Sequence, residues 1–574
     1  MSWLFVVTQR GPDTGKRIPF CHEAPLHTIS MPGFYLAVGG DADTSFCERD
    51  LNRNSGWAVV GIGISSSDSG ASILTQSDWA RLMTTDAFDA SSLDGHFVAL
   101  RWKDSTIECF TDQLGLRTAY FSDYENGICI STRLDWLART TGHAELDFEA
   151  LGSRWLMLNQ VSYDSCIVGI ERLGPGGYAI FQRGSVVRSY TRPWSPSFEP
   201  QTPSAALGIL RSFVQCALDH RGIPSLGLSG GLDSRVLLAF FAGMSKNGFV
   251  THTFGPPEDS DMRIANQITT ALGIPHEEFN DPFPDVATAI EGIRSFAAQT
   301  FLVEPITTYL KLRYYPKLHE RGRLLIDGGF GEIARRQFLG RLVKLGRSAV
   351  QRRDASRLFD LMKLPRANIF APEITSLLEL GARANLENTL NSMPPAESIG
   401  VEDFADLLSV RMRVPNYGGP EQARDDSEIL NFMPLVQPSF LRSVFGIPAK
   451  ERANARLYYE AIRVMYPALG RFPLVKGRVT YRFGLSSNLA RVTTIVKSRI
   501  TPQYPNPQPD QFLSDIREYA LDIAHSKEVT ESGMYDSRMV VDAVTRYYRG
   551  ERRLRIIVDW WLTFYLWRES FVAG

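Results

Sequence analysis

The sequence predicts a two-part α/β protein: an antiparallel, β-rich N-terminal part, then a doubly wound parallel sheet in a C-terminal part rich in helices. Three observations predict it. Short alternating apolar runs, punctuated by glycine, aspartate and asparagine, recur through residues 1–195. Beyond residue 204 apolar strands alternate with helix-compatible segments, as in a parallel sheet covered by helices. And 574 residues exceed what one core serves, so two domains or more are expected.

The β part rests on runs such as Trp57–Ile62, Phe97–Trp102, Thr106–Phe110 and Ile128–Ser131. Residues 196–203 are proline-rich and form the expected linker between a first domain at 1–195 and a second at 204–574. An amphipathic helix is expected from Ala205 to His220. The net charge of −1 gives no pull toward nucleic acid or an anionic membrane. No apolar run reaches the ~18 residues a membrane helix needs. Residues 1–8 read as a strand rather than a signal peptide. The six cysteines, Cys21, Cys47, Cys109, Cys129, Cys166 and Cys216, contain no Cys-x-x-Cys. That argues against a metal cluster and for a reduced, cytoplasmic chain.

The chain is organised around Leu226–Leu238, where an apolar strand enters a glycine-rich turn and the turn enters an apolar helix. Gly230 and Gly231 let the backbone approach a ligand closely. Free N–H groups at the helix start favour an anion. Ser229 and Ser234 add hydroxyls, and Asp233 adds a carboxylate able to hold Mg²⁺ against phosphate oxygens. An ordinary strand-to-helix turn is the plain alternative. A second strand, Phe249–Gly255, also ends in glycine, and the ligand of such a sheet lies beyond the carboxyl ends of its strands. A third, Leu324–Ile326, enters Asp327-Gly328-Gly329-Phe330-Gly331-Glu332. Residues 335–357 hold eight arginines and lysines against Asp354 alone. They form either a solvated helical face or a surface for an acidic substrate or partner. From Ala371 onward the pattern is largely helical, and the apolar stretch Val558–Trp567 is too short to span a membrane and is expected to pack on the domain.

Ser-Gly-Gly-Leu-Asp-Ser at 229–234 resembles the pyrophosphate loop of ATP pyrophosphatases. Leu93-Asp94-Gly95-His96-Phe97 with Asp112–Tyr120, and Gly169–Gly176, resemble the glutaminase domain of asparagine synthetases. The resemblance implies an N-terminal antiparallel β-sandwich of the Ntn-hydrolase type and a C-terminal ATP-pyrophosphatase synthetase domain. It implies ATP and Mg²⁺ as cofactors, with Leu228, Ser229, Gly230, Gly231, Leu232, Asp233, Ser234, Asp327 and Gly328 around the phosphates. Phe254 and Gly255 would flank the adenine. Asp233 and Glu332 would hold the metal, the latter falling where the family has its second aspartate. Lys476, in Tyr466–Gly477, matches the family's lysine that reaches the acyl-adenylate, with Arg478 and Arg482 next to test on the same loop.

The departures from the family direct the functional expectation. Position 2 is Ser2 where a working glutaminase of this family carries its nucleophilic cysteine, and Cys21 lies elsewhere. A hydroxyl is far weaker than a thiolate against an amide, so glutamine hydrolysis is expected to be lost and the amine to belong to the substrate. Gly329 falls where β-lactam synthetases have a tyrosine, which counts against that reaction. The expectation is a lasso-peptide cyclase, a macrolactam synthetase. It would adenylate an Asp or Glu side chain of a core peptide and close the ring on the peptide's α-amine. Implied partners are the precursor peptide, a leader-binding protein and a leader peptidase. An ammonia-dependent asparagine synthetase and a non-catalytic scaffold of the same fold are the alternatives.

Overall fold

The computed structural model describes residues 2–9, 23–67, 70–85, 87–125, 127–245, 247–364, 366–477, 479–485, 487–500 and 506–572. Cys21 and Arg478 lie outside them. The N-terminal part is a sandwich of two antiparallel sheets. One has six strands in the order Glu171–Leu173, Ala119–Tyr124, Gly127–Ser131, Trp3–Gln9, Phe34–Gly39, Pro25–Met31. The other runs Ser185–Tyr190, Tyr178–Gln182, Thr106–Thr111, Asp94–Lys103, Ser55–Ser67, Ser45–Asp50, with Gly70–Ile73 paired to Ser55–Ser67. Side chains alternate across each pleat. Leu4, Val6, Leu36 and Val38 therefore meet Ala58, Val60, Val98 and Leu100 between the sheets. Trp3, Phe5 and Val7 point the other way, into a helical layer that includes Leu137, Trp155, Phe296 and Trp561. That layer is drawn from both ends of the chain, so the first sheet is apolar on both faces. The stretch Val558–Trp567 lies in helix Arg555–Val572 and buries Trp561, Phe564 and Trp567 in it. Among the described residues no helix is long and apolar enough to cross a membrane.

The second sheet system is parallel throughout, in the order His276–Phe279, Val250–Phe254, Ile223–Gly227, Arg323–Ile326, Asn431–Phe432. The chain winds outward in one direction from Ile223–Gly227 and later returns to its other side. The order therefore reverses between Ile223–Gly227 and Arg323–Ile326, and the crevice of a doubly wound sheet lies beyond that point. The helix ahead of it spans Pro203–Leu218, with Thr202 as N-cap accepting from Ala205 N–H at 3.2 Å. Pro203 is thus a helical residue rather than the last of a linker, as suits the first turn, which needs no N–H there. The helix Leu232–Met244 is enclosed, with Val236, Leu237, Phe240 and Phe241 buried.

Residues 335–357 do not form one solvated helix. They break into Gly340–Leu345, Arg347–Gln351 and the start of Ala355–Met362, and several of their arginines are pinned inward. Arg336 pairs with Asp406 at 2.7 Å and Arg353 donates to Met393 O at 2.7 Å, while Arg347 pairs with Glu402 at the surface.

His252, in the middle of the parallel sheet, is buried, with Nδ1 2.8 Å from Ser225 Oγ. Burial, with His276 nearby, pushes its pKa down from 6.5 to about 3. A depressed folded-state pKa contributes stability above the unfolded value that is lost as pH falls through this window. Urea midpoints of the wild type are expected to fall below pH 6.5 with a contribution from this group of about 1.4 kcal/mol per pH unit. His252→Asn, which keeps an acceptor near the Nδ1 position, should remove that contribution. Identical pH slopes for the two proteins would refute the assignment.

Candidate functional site

Two glycine loops face each other across the crevice. The first, Leu228–Gly231, leaves the strand Ile223–Gly227, and its serines close it on itself. Ser229 N–H donates to Ser234 Oγ at 3.2 Å, the two hydroxyls lie 3.1 Å apart, and Gly231 N–H donates to Ser229 Oγ at 3.1 Å. Thr253 Oγ1 donates to Leu228 O at 2.5 Å, which fixes the loop to the neighbouring strand. Leu232 opens the helix and is buried against it, placing Asp233 in the first turn.

The loop is also clamped from above. Val475 N–H donates to Gly230 O at 2.8 Å, and buried Arg235 donates to the carbonyls of Phe472 and Pro473, both at 2.8 Å. A side chain at position 230 would meet Val475 Cγ2 at 2.2 Å, so glycine is required for the hairpin Leu474–Lys476/Val479–Tyr481 to close on the loop. The amides of this loop are already engaged, those of Ser229 and Gly231 by the serine hydroxyls. Gly230 N–H donates to Asp261 Oδ1 at 2.8 Å, from the first turn of helix Ser260–Leu272.

The second loop, Asp327–Phe330, follows Arg323–Ile326. Asp327 N–H donates to Phe432 O at 3.1 Å, which holds the loop to the edge strand. Burial raises the Asp327 pKa, against hydrogen bonds from Gly329 and Gly328 N–H. The loops touch: a Cβ on Gly328 would sit 3.0 Å from Ser234 N, and one on Gly331 would sit 2.5 Å from Asp233 Cγ. Asp233 and Glu332 are thereby brought into one electrostatic neighbourhood. Burial pushes Asp233 up to about 6, Glu332 and Asp327 push the same way, and Arg335 opposes them.

The structure adds two arginines that sequence reasoning did not assign to this site. Arg335 grips Asp233 with Nη2 at 2.8 Å from Oδ2 and Nε at 2.8 Å from Oδ1. Arg413 Nε donates to Glu332 Oε1 at 2.6 Å while its guanidinium lies over Phe330, Phe338 and Tyr417. The contact on Asp233 Oδ1 is one of charge without hydrogen-bond alignment, so that oxygen keeps lone pairs for another cation. Among the described residues no group of three His, Cys, Asp or Glu forms a complete metal cage. Two carboxylates do suit Mg²⁺, which takes one or two from the protein and the rest of its shell from phosphates and water. The residues present therefore fit a magnesium ion shared with a nucleotide.

Phe254 ends the strand Val250–Phe254, with its ring stacked on Tyr314 at 5.2 Å and packed on Phe279 at 5.4 Å. Gly255, at φ +130°, has no atom within 4 Å of where a side chain would begin. The strand end is thus walled by aromatics on one side and open at Gly255. Lys476 lies at the end of Leu474–Lys476, exposed, one residue beyond the contact with Gly230. Beyond Asp327 lies a group of buried acids that the sequence reading missed. Arg424 Nη2 donates to Glu304 Oε2 at 2.6 Å. Burial, with the neighbouring carboxylates, holds Glu421 and Asp425 well above the usual range.

In the N-terminal part Ser2 is buried. Its hydroxyl is hydrogen-bonded to Thr44 Oγ1, and its carbonyl accepts from Arg117 Nη2. The cavity beside it, walled by Arg117, Tyr120, Arg133, Phe301 and Arg424, has about 30 Å³, room for about two waters. Arg117 and His96 meet Asp426 at 3.3 and 3.0 Å, a buried seam between the sandwich and the helical part.

Comparison with known proteins adds three findings. No curated protein matches the chain. Among solved structures, glutamine phosphoribosylpyrophosphate amidotransferase from B. subtilis, complexed with ADP and GMP, is 12% identical over 57% of this chain and 75% of that one, with a TM-score of 0.20. The structure described as the allosteric regulatory enzyme of purine biosynthesis is 13% identical over 61% and 72%, with a TM-score of 0.21. At those scores the overlap says nothing of fold or activity. Residues 209–314, which carry the serine–glycine loop and the strand ending at Gly255, match the asparagine synthase family model. That segment is asparagine synthetase-like, and the enzyme class it supports is an ATP-dependent carbon–nitrogen ligase.

Proposed function

We propose that the chain joins a carboxylate to an amine with ATP, forming AMP and pyrophosphate, and that it does so as a lasso-peptide cyclase. The observation that carries the synthetase reading is the pair of glycine loops at the reversal of a parallel sheet, with Asp233 and Glu332 drawn together between them. In the first step a carboxylate oxygen attacks the α-phosphorus of ATP, and pyrophosphate leaves. In the second an amine attacks the acyl carbon, AMP leaves, and the amine's extra proton goes to a base. The hydroxyls of Ser229 and Ser234 and the guanidinium of Arg335 are held in place before the reaction, so they need little reorganisation as charge develops. Asp233 and Glu332 would hold a magnesium ion together with the phosphates, and the ion would supply Lewis-acid stabilisation of the leaving group. The acids around Asp327, with Glu304, Glu421 and Asp425, offer acceptors for an ammonium and for its proton.

The amine comes from the substrate in this reading. The Ser2 hydroxyl is tied to Thr44, and a hydroxyl is a far weaker nucleophile toward an amide than a thiolate. The substrate would be a leader-processed core peptide bearing an Asp or Glu side chain, supplied through a leader-binding protein and a leader peptidase. The test is incubation of the purified protein with ATP, Mg²⁺ and candidate carboxylates, following AMP and pyrophosphate. Carboxylate-dependent release supports the synthetase, and a peptide product lighter by one water supports the macrolactam. No release with any carboxylate, peptides included, would sink the reading. Ser2→Ala is expected to leave turnover unchanged and the wild type to form no glutamate from glutamine. Ser2-dependent glutamate formation would reverse this part of the proposal.

A further inference from the structure

A second feature lies beside the glycine loops, a cleft of about 820 Å³ between helix Gly340–Leu345 and strand Leu474–Lys476. Its volume is that of pockets that enclose most of a drug-sized ligand, many times the cavity beside Ser2. Arg336, Arg341, Lys344 and Lys476 line it, and none of its lining side chains among the described residues is acidic. Arg336 is committed to Asp406 at 2.7 Å. Arg341 and Lys344 stand three positions apart on one face of their helix, with Leu345 beside them and 63% exposed. The wall is therefore basic with an apolar strip, rather than uniformly charged.

Lys476 and Arg336, both in its lining, follow directly in the chain on residues that touch the candidate centre. Val475, immediately before Lys476, bonds to Gly230, and Arg335, immediately before Arg336, holds Asp233. Two of its lining residues, Arg336 and Asn454, carry positive φ of 58° and 57°. Non-glycine backbone held there is disfavoured and gathers at functional sites. We propose that this cleft seats an acidic segment of the peptide substrate, alongside the carboxylate that is activated between the loops. This inference rests on the synthetase reading above and names the chemistry of its substrate: an extended chain carrying several negative charges and an apolar side chain for Leu345. The charges raise local substrate concentration and fix which carboxylate reaches the loops, while the short-range apolar contact sets register.

The test uses the full-length protein, fluorescein-labelled hexaglutamate as probe and tripolyphosphate as competitor. Hexaglutamate is expected to bind the wild type with an affinity that falls with salt. It should bind Arg341→Glu/Lys344→Glu at least about tenfold more weakly, because like charges then face it. ATP affinity should stay within about twofold, since both residues stand on helix Gly340–Leu345 and belong to neither glycine loop. Equal hexaglutamate binding by the two proteins overturns the proposal. So does a parallel loss of ATP affinity with displacement of hexaglutamate by tripolyphosphate, which would assign the cleft to the nucleotide's phosphates. Binding needs no turnover, so the two readings fail separately. Charge-dependent binding without AMP release from any carboxylate would sink the synthetase and leave the acidic-chain site. Normal AMP release with charge-indifferent binding would do the reverse.

Discussion

Asp233→Ala is expected to lower AMP and pyrophosphate release by about three orders of magnitude, the equivalent of ~4 kcal/mol of transition-state stabilisation. Asp233 is the only carboxylate of the first loop, it faces Glu332 across the crevice, and its Oδ1 keeps lone pairs for a cation. The same substitution strips Arg335 of its partner. Breaking a fully buried pair costs up to about 3–5 kcal/mol of stability, and here the cost is smaller because both side chains are 20% exposed. Activity and stability therefore need separate variants. Asp233→Ala/Arg335→Met removes the orphaned charge with the carboxylate, so it should regain much of the thermal stability and none of the activity. AMP release near wild-type levels from either protein would remove Asp233 from the chemistry. Loss of activity that is fully regained in the double variant would show that only the fold was damaged.

The parts of this architecture legible in the sequence are those encoded by local period. The continuous apolar run at residues 3–7 reads as a strand, and the structure uses both of its faces, Leu4 and Val6 inside the sandwich and Trp3 and Phe5 against helices. The strand–glycine–helix order at 226–238 predicts the first loop because a tight turn and a close approach both demand glycine where Gly230 stands. Short elements escape such reading. Asn431–Phe432 supplies the fifth strand and Leu474–Tyr481 a hairpin inside a stretch whose period is helical, since two or three residues are too few to set a period. The ion pairs escape for another reason. Arg413 lies 81 positions from Glu332 and Arg335 lies 102 from Asp233, and nothing local in either sequence neighbourhood couples them. Asp261 could have been found, because an acid in the first turn after a strand of this sheet must lie near the same crevice. The arginine-rich stretch was visible as composition alone. Gly340, Gly346 and the capping residue Asp354 break it into short helices that aim its cations in different directions.

Lys476→Ala is expected to lower kcat by about 10²–10³, by analogy with the loss of one donor to developing negative charge, while ATP affinity changes little. The lysine ends a strand whose preceding residue is bonded to the first loop, and the following Gly477, at φ +54°, turns the hairpin back through Val479. Its ammonium is thus carried on a clamped backbone with a flexible stem, and the prediction requires that it reach charge building at the carboxyl–phosphate centre. Lys476→Arg should rescue poorly, because a planar fork does not replace a compact point charge. The same residue lines the basic cleft, and kinetics separates the two duties. A lysine that stabilises the transition state lowers kcat and kcat/KM together, whereas one that only holds the acidic chain raises KM for the peptide with kcat unchanged. The first pattern supports Lys476 as a catalytic residue. The second moves it into the substrate cleft and makes Arg482, just past the end of the returning strand Val479–Tyr481, the next cation to replace.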